Sequence, residues 1–227
     1  AIYESCMNNF QNVIYRNYAA DFQVTNEDIS RINYGDFGAL LATGTVLACE
    51  PSRSATFLAF EKAKKAGLPI IFDIDYRPYS WSSPEIASDV LTQAGKQSDL
   101  LIGNDEEFDF MAGGIKKGLK VAEHLAKNSE RIVIYKMGSE GAITFASGKE
   151  IHTGIFPAAP VKPNGAGDSF MAGLLSSISE GRDLTEAIYR GSACAAIVVS
   201  KPGCAPAMPT HDQLDAFMKK HPHPKRV

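Results

Sequence analysis

Four short apolar runs recur at nearly even spacing, and this spacing constrains the fold more than any other feature of the sequence. The runs are Ala39–Ala42, Pro69–Phe72, Leu100–Gly103 and Ile132–Tyr135, and they start roughly thirty residues apart, enough for a crossover connection. Each is too short for a helix and almost continuously apolar, as strands are when both faces of a sheet are covered. The runs therefore predict parallel strands.

The intervals between these runs carry helical patterns. Ser52–Lys65 has apolar residues at helical spacing and a basic last turn, and Gly67 follows as a stop signal. Pro84–Gln93 and Lys117–Lys127 are further predicted helices. Strands that alternate with helices predict a mainly parallel sheet with helices on its faces.

The last third of the chain has a different pattern. It predicts strands at Ala142–Phe145, Glu150–Phe156 and briefly at Val161, then helices at Gly165–Ser179, Leu184–Ser200 and Asp212–Lys220. No linker rich in Gly, Ser or Pro interrupts the chain, and 227 residues suffice for one well-buried domain. We therefore expect residues 1–227 to form a single three-layer α/β/α domain around a mainly parallel sheet.

Charge and composition disfavour several classes of function. The formal net charge is −3 and the pI is about 6.0, which argues against the basic surface that nucleic acids need. No apolar run approaches the ~20 residues of a membrane span, and the first residues do not resemble a secretory signal. Cys6, Cys49, Cys194 and Cys204 have no zinc-type spacing, which favours reduced thiols. We expect a cytoplasmic protein with no nucleic-acid or membrane partner.

Polar and glycine-rich segments follow the predicted strands. These segments are Asp73–Arg77, Asn104–Glu107, Lys136–Gly141 and Asn164–Asp168. Ligands of an open parallel sheet bind beyond the carboxyl ends of its strands. The sequence therefore predicts a ligand site at this end of the sheet.

The sequence Gly165-Ala166-Gly167-Asp168 is the strongest single signal. The glycines let the backbone turn sharply and approach a ligand, and the free N–H groups of the helix that follows stabilise an anion. Asp168 can accept a proton from a substrate hydroxyl. The alternative is structural, with Asn164 as an N-cap before a favourable acidic first turn.

Two further sets of residues have both a functional and a structural interpretation. Asn104 and Glu107 lie three residues apart at a predicted helix start, where their oxygens suit Mg²⁺ or helix capping. Arg16 and Arg77 suit the binding of a carboxylate or phosphate or ordinary ion pairs. The sequence alone leaves both choices open.

Three common site motifs are absent. The sequence contains no G-x-x-x-x-G-K-[ST], no G-x-G-x-x-G after a predicted strand and no G-x-S-x-G. Their absence disfavours a P-loop enzyme, a dinucleotide-dependent dehydrogenase and an α/β-hydrolase.

Several motifs, taken in order, resemble those of the ribokinase-like (PfkB) carbohydrate kinases. Asn164–Asp168 is similar to the end of that family's D-T-x-G-A-G-D motif, Asn104–Glu107 to its N-x-x-E motif, and Lys136–Gly141 to its G-x-x-G turn near the nucleotide. The similarity runs from about Val13 to Met218. Motifs that occur together in this order are far more specific than any one of them.

The resemblance implies an ATP-dependent sugar kinase and assigns a role to each motif. Asp168 is implied as the base, with Gly165, Ala166 and Gly167 as the anion hole. Asn104 and Glu107 are implied to organise Mg²⁺. The residues implied at the nucleotide are Lys136, Gly138, Gly141, Ala193, Ala196 and Gly203.

Within the family, some stretches are similar to kinases that phosphorylate a primary hydroxyl of a keto sugar acid. These stretches are Glu50–Arg53, Phe72–Pro78, Lys162 and Ile197–Thr210. The implied substrate is 5-dehydro-2-deoxygluconate, in inositol catabolism, and 2-keto-3-deoxygluconate is the alternative. Arg16, Arg77 and Asp168 are implied to bind the sugar acid.

The chain departs from the family pattern in two respects. Lys162-Pro163 stands where the motif begins with Asp-Thr, and that Asp helps to bind a monovalent cation in the family, so dependence on such a cation is left open. The family's N-terminal strands, glycine-rich sugar site and part of its lid have no counterpart. We therefore expect the C-terminal portion of a longer chain, with residues 1–18 as a remnant of the lid. A homodimer is a further expectation. The alternative function, from a different class, is the binding of a nucleotide or sugar without turnover.

Overall fold

The computed structural model describes residues 2–4, 12–14, 16–127 and 130–222. The chain divides into two compact units. The sheet unit comprises Arg16–Gly138 and Ala142–Ile151, and the helical unit comprises Ala1–Tyr15, Ser139–Gly141 and His152–Val227. One domain over residues 1–227, with residues 1–18 as a lid remnant, stays a prediction.

The strands form two sheets within the described residues. β1 (Ile2–Glu4) and β2 (Asn12–Ile14) make an antiparallel pair. The larger sheet contains, in spatial order, β3 (Leu40–Thr43), β4 (Ile70–Asp73), β5 (Leu100–Asn104), β6 (Ile132–Lys136), β7 (Ala142–Ala146) and β8 (Lys149–Thr153). β3 to β6 are parallel, and β7 runs antiparallel to β6.

The helices of the sheet unit are α1 (Asn26–Ser30), α2 (Ser52–Lys65), α3 (Pro84–Gln97), α4 (Asp105–Met111) and α5 (Gly118–Ala126). α2 to α5 pack on the strands, whereas α1 packs on α2. The four predicted parallel strands are present within one residue of their expected limits. Every residue of β4 is buried, as expected for a strand covered on both faces. The predicted mainly parallel sheet flanked by helices is confirmed.

The helical unit contains the predicted C-terminal helices, α6 (Ala166–Ser179), α7 (Leu184–Val199) and α8 (His211–Lys220). α6 and α7 approach closely at Gly191, because this residue has no side chain. A Cβ there would lie only 2.7 Å from the carbonyl oxygen of Phe170. One hydrophobic cluster of this unit consists of Phe156, Ala193, Cys194, Ala196, Ile197 and Leu214. Buried Arg190 donates from Nε to Ser177 Oγ at 3.1 Å and from Nη1 to Asp215 Oδ1 at 2.6 Å.

Two predicted boundaries and one predicted strand are wrong. α3 continues beyond Gln93 to Gln97, because Gly95 packs against Met111 and Leu101 instead of ending the helix. β8 ends at Thr153. Val161 lies outside any strand, and its N–H donates to the carbonyl oxygen of Val199 at 2.8 Å. Across the described residues, no helix combines the length and the apolar character of a membrane span.

Candidate functional site

A sharp turn at Gly165 precedes α6 in the helical unit. Gly165 is the N-cap and has φ +83°, a left-handed conformation that favours glycine. No side chain caps this helix, so the interpretation of Asn164 as the N-cap is wrong. Ser169 Oγ holds the turn by donating to the carbonyl oxygen of Gly165 at 2.6 Å.

The first turn of α6 keeps free hydrogen-bond donors. The Ala166 N–H donates to the carbonyl oxygen of Pro163 at 3.3 Å, whereas the N–H groups of Gly167 and Asp168 have no acceptor within the described part of the chain. Unpaired N–H groups at a helix start, together with the helix dipole, attract anions. The geometry therefore suits an anion at this turn.

The Asp168 carboxylate is available for chemistry. The residue is exposed, and no hydrogen bond or ion pair joins its side chain to another described residue. An acid held in an ion pair would have to break that pair before it could accept a proton. Asp168 lies in the same helical turn as the free N–H groups, so one short segment offers an anion site and a base.

Sequence reasoning missed two residues that shape this turn. Ser169 is fully buried, and its position one turn after Gly165 is the signal that could have identified its bond to that carbonyl group. Cys204 has no comparable local signal, because it comes from the loop after α7. A Cβ at Gly165 would lie 3.2 Å from Cys204 Cβ, so the turn packs directly on that loop.

Asn104 and Glu107 form a capping box at the start of α4 in the sheet unit. Asn104 Oδ1 accepts the Glu107 N–H at 2.8 Å, and Glu107 Oε2 accepts the Asn104 N–H at 2.8 Å. Glu107 Oε1 also accepts the Tyr76 N–H at 3.1 Å. Burial raises the pKa of Glu107 above its ordinary value, although the Asn104 N–H and Lys136 oppose that rise. The structural interpretation of this pair is confirmed.

The donor chemistry of the same pair fits a hydrated Mg²⁺ ion. The three oxygens accept one backbone N–H each and keep a second lone pair, and Mg²⁺ in proteins usually retains several waters. Among the described side chains of His, Cys, Asp and Glu, no group of three or more is arranged to hold a metal ion. The Mg²⁺ role of Asn104 and Glu107 stays a prediction.

Arg77 lies beside Glu107 and is held by its neighbours. Its guanidinium pairs with Asp75, donates from Nη1 to the carbonyl oxygen of Tyr76 at 2.9 Å, and lies 3.9 Å from Glu107 Oε1. Asp75 has φ +35°, which is strained for a residue with a side chain. Tyr76, Arg77 and Glu107 border an open cleft of about 920 Å³. Phe110 also lines this cleft and stacks on Tyr76, with 3.8 Å between ring centroids.

Arg16, the other predicted sugar-acid ligand, is also paired. It forms an ion pair with Asp21 and lies over the Phe22 ring, 4.3 Å from its centroid. Both arginines therefore have the ion pairs that the structural interpretation predicts. Their binding of a substrate carboxylate stays a prediction.

The residues expected at a nucleotide divide between turns and core. Gly138 and Gly141 have φ +54° and +88°, and a Cβ at Gly141 would lie 2.0 Å from the carbonyl oxygen of Thr153, so only glycine fits. Lys136 ends β6 and is half-buried, and Gly203 has φ +77° in the loop after α7.

Ala193 and Ala196 are different, because both are buried in the apolar core of the helical unit. Nucleotide contact by all six residues stays a prediction. The structure thus groups the predicted site residues within each unit, with Gly165 to Asp168 in the helical unit and Asn104, Glu107 and Arg77 in the sheet unit.

Two known proteins similar to this chain are named 5-dehydro-2-deoxygluconokinase. The chain is 38% identical over 211 residues to the 5-dehydro-2-deoxygluconokinase of Geobacillus thermodenitrificans (strain NG80-2), covering 91% of this chain and 63% of that protein. It is 37% identical to the enzyme of the same name from Geobacillus kaustophilus (strain HTA426), covering 92% and 64%. The chain thus spans less than two thirds of the length of these relatives.

Solved structures show the same fold. A fructokinase from Vibrio cholerae O395, with fructose, ADP and calcium ion bound, matches with a TM-score of 0.78 and 25% identity over 92% of this chain and 68% of that one. A putative ribokinase II from E. coli in complex with ATP and Mg²⁺ matches with a TM-score of 0.82 and 21% identity over 94% and 69%. The family model described as pfkB family carbohydrate kinase matches residues 7–211, and with the relatives above it shows that this chain belongs to the PfkB family of carbohydrate kinases.

Proposed function

We propose that the protein carrying this chain transfers the γ-phosphoryl group of ATP to a primary hydroxyl of a keto sugar acid. The observation that carries the proposal is the start of α6, where free N–H groups and the exposed, unpaired Asp168 occupy one turn. A migrating phosphoryl group is an anion, and its acceptor hydroxyl must lose a proton. The free N–H groups of this turn suit the anion, and the Asp168 carboxylate suits the proton.

The proposed reaction requires little covalent chemistry from the protein. The acceptor oxygen forms a bond to the γ-phosphorus as the bond from that phosphorus to the β,γ-bridging oxygen breaks, and ADP leaves with the bond's electron pair. Asp168 takes the hydroxyl proton. The N–H groups of Gly167 and Asp168 stabilise the charge on the transferred group, which is the main source of catalysis in phosphoryl transfer.

Magnesium and ATP are the proposed cofactors. When bound, Mg²⁺ neutralises phosphate charge and holds the phosphates in place. Asn104 and Glu107 would hold the ion through its waters. The capping box fixes both side chains before any ion arrives.

The proposed substrate is 5-dehydro-2-deoxygluconate, with 2-keto-3-deoxygluconate as the alternative, and the reaction is proposed to occur in the cytoplasm. The names of the curated relatives support the first substrate. Arg16 and Arg77 are the candidates for its carboxylate. Because each already pairs with an aspartate, the substrate would have to share or displace that partner.

The experiment compares Asp168→Asn with Asp212→Asn, which alters another acid in the first turn of a helix of the same unit. ADP release by the intact gene product is measured with a panel of sugar acids, and ATP affinity is measured by calorimetry. We expect Asp168→Asn to lower kcat at least ~100-fold, as for loss of a general base, with ATP affinity kept. A near-normal kcat for this variant contradicts the role of Asp168.

A second candidate function is binding of ATP or a sugar without turnover. It is favoured by the ion pairs that already hold Arg16 and Arg77, because a protein whose candidate sugar-acid ligands are occupied can bind ATP without phosphorylating the acid. This candidate predicts ATP binding with no ADP release for any sugar acid. The same calorimetric and ADP-release measurements distinguish it from the kinase.

A further inference from the structure

A lysine is buried beside the turn that precedes α6. Lys162 is 4% exposed. Its ammonium donates to the carbonyl oxygen of Asn164 and lies 3.8 Å from Cys204 Sγ. No carboxylate forms an ion pair with it among the residues that the structure describes. A buried ammonium without a carboxylate is costly, so its position at a candidate anion site requires an explanation.

The ammonium connects two backbone segments that shape the turn. The N–H groups of Val161 and Lys162 donate to the carbonyl oxygen of Val199 at 2.8 and 3.4 Å. Asn164 immediately precedes the left-handed Gly165, and Cys204 packs against the same glycine. The lysine side chain therefore ties the segment before α6 to the loop after α7.

The donor set at this point does not fit a monovalent metal ion. Such an ion needs several oxygen ligands, whereas the described groups that the ammonium contacts are one carbonyl oxygen, already bonded to it, and a thiol. A second cation beside the ammonium would also be repelled. An ammonium and a potassium ion carry the same charge, and both bind carbonyl oxygens. The lysine side chain can therefore supply, as part of the chain, the positive charge that a bound monovalent cation would supply.

We infer that the Lys162 ammonium is a built-in replacement for a monovalent cation at the α6 turn, so that nucleotide binding there needs no potassium. This inference rests on the proposed function for the assignment of the anion as a nucleotide phosphate. The charge has a direct effect on that anion. The ammonium and the positive end of the α6 dipole repel each other until a negative group binds between or beside them, so Lys162 acts as a positioning residue for the anion.

The test compares salts of equal ionic strength and uses two variants. Lys162→Met removes the charge at similar length, and Lys220→Met removes an exposed lysine of α8 in the same unit as the matched control. ATP affinity in the presence of Mg²⁺ and the Tm of the ligand-free chain are measured in choline chloride, potassium chloride and ethylammonium chloride.

We expect wild type and Lys220→Met to keep the same ATP affinity in all three salts, within about twofold. Lys162→Met should bind ATP at least ~10-fold more weakly in choline chloride, the effect of one lost charge interaction. It should regain affinity and Tm in ethylammonium chloride but not in potassium chloride, because the donor set there does not fit a metal ion. A wild type whose affinity rises more than about fivefold with potassium overturns the inference, and so does a Lys162→Met variant that binds ATP normally in choline chloride.

The readouts separate this inference from the kinase proposal. Absence of ADP release with every sugar acid contradicts the proposed function, whereas the salt dependence of ATP affinity and Tm still decides the role of Lys162. If Lys162→Met does not fold in any salt, the wild-type comparison between choline and potassium decides by itself.

Discussion

Replacing Glu107 with alanine tests whether this carboxylate is a structural element even without a metal. Glu107 is 7% exposed, and its side chain accepts the backbone N–H groups of Tyr76 at 3.1 Å and Asn104 at 2.8 Å. A buried N–H that loses its acceptor costs ~1–3 kcal/mol. Burial of the carboxylate is itself unfavourable, as the raised pKa of Glu107 indicates. The alanine variant avoids this desolvation cost, which offsets part of the loss in stability.

The balance of these effects gives the expected magnitude. We expect Glu107→Ala to lower the free energy of unfolding by about 2–4 kcal/mol. Glu107→Gln should lower it by about 1–2 kcal/mol, because the amide oxygen still accepts one N–H while its NH₂ faces the other. Exposed Glu106 lies in the same helical turn, and Glu106→Ala, the matched control, should change the free energy by less than about 0.5 kcal/mol.

The assay is urea unfolding followed by circular dichroism, in EDTA and then with added Mg²⁺. A capping role predicts the full loss in EDTA, where no metal contributes. The reasoning is refuted if Glu107→Ala matches wild type within about 0.5 kcal/mol in EDTA. A loss that appears only with Mg²⁺ would assign the carboxylate to the metal alone.

Two further predictions concern the helical unit. Gly165→Ala should lower Tm more than Gly181→Ala. Both residues have positive φ, but only the new methyl group at Gly165 meets a neighbour, Cys204 Cβ at 3.2 Å. Thermal unfolding measures the Tm of both variants, and equal losses would contradict the packing of the turn on Cys204. The pKa of Asp215 lies below its ordinary value, chiefly through the hydrogen bond from Arg190, so its stabilising contribution is present above that ordinary value and is lost as pH falls through the folded-state pKa. Asp215→Asn should therefore lose less Tm than wild type on acidification from about pH 5 to pH 2.5, and an unchanged loss in Tm scans argues against this pair.

The parallel sheet was predictable because its strands share one apolar pattern. β4, β5 and β6 are buried over most of their length, so their sequences are almost continuously apolar and end where polar residues begin. β3 has the same pattern although it is only partly buried. The C-terminal end of α3 was not predictable in this way. Glycine is a usual sequence signal for a helix end, but Gly95 lies within the helix, where Met111 and Leu101 come within 3.3–3.5 Å of the position of a Cβ.

The sequence predicted which residues form the candidate site better than it predicted the hydrogen bonds that they make. The spacing of Asn104 and Glu107 predicted either metal binding or capping, and the structure shows the capping box. The third bond of that cluster comes from Tyr76, far away in the sequence, so no local pattern indicates it. The N-cap of α6 is Gly165 and not Asn164, and Gly165 contacts Cys204 from another part of the helical unit. No local sequence pattern indicates this contact either.

The hydrogen bonds and ion pairs of the predicted site residues divide them into two groups. Some hold the local structure in place, and one is available for chemistry. Within the described residues, Arg16, Arg77 and Glu107 each have partners that a ligand would have to share or displace, whereas Asp168 has none and is exposed. An unbonded, exposed carboxylate in the first turn of a helix contributes only about 0.3–1 kcal/mol, through the helix dipole. Loss of Asp168 should therefore reduce turnover with at most a small loss of stability, while loss of Glu107 should reduce stability clearly, with or without a metal. The same bonding pattern accounts for both outcomes, because a side chain that holds the backbone in place cannot be removed without cost, and one that must exchange a proton has to be left free.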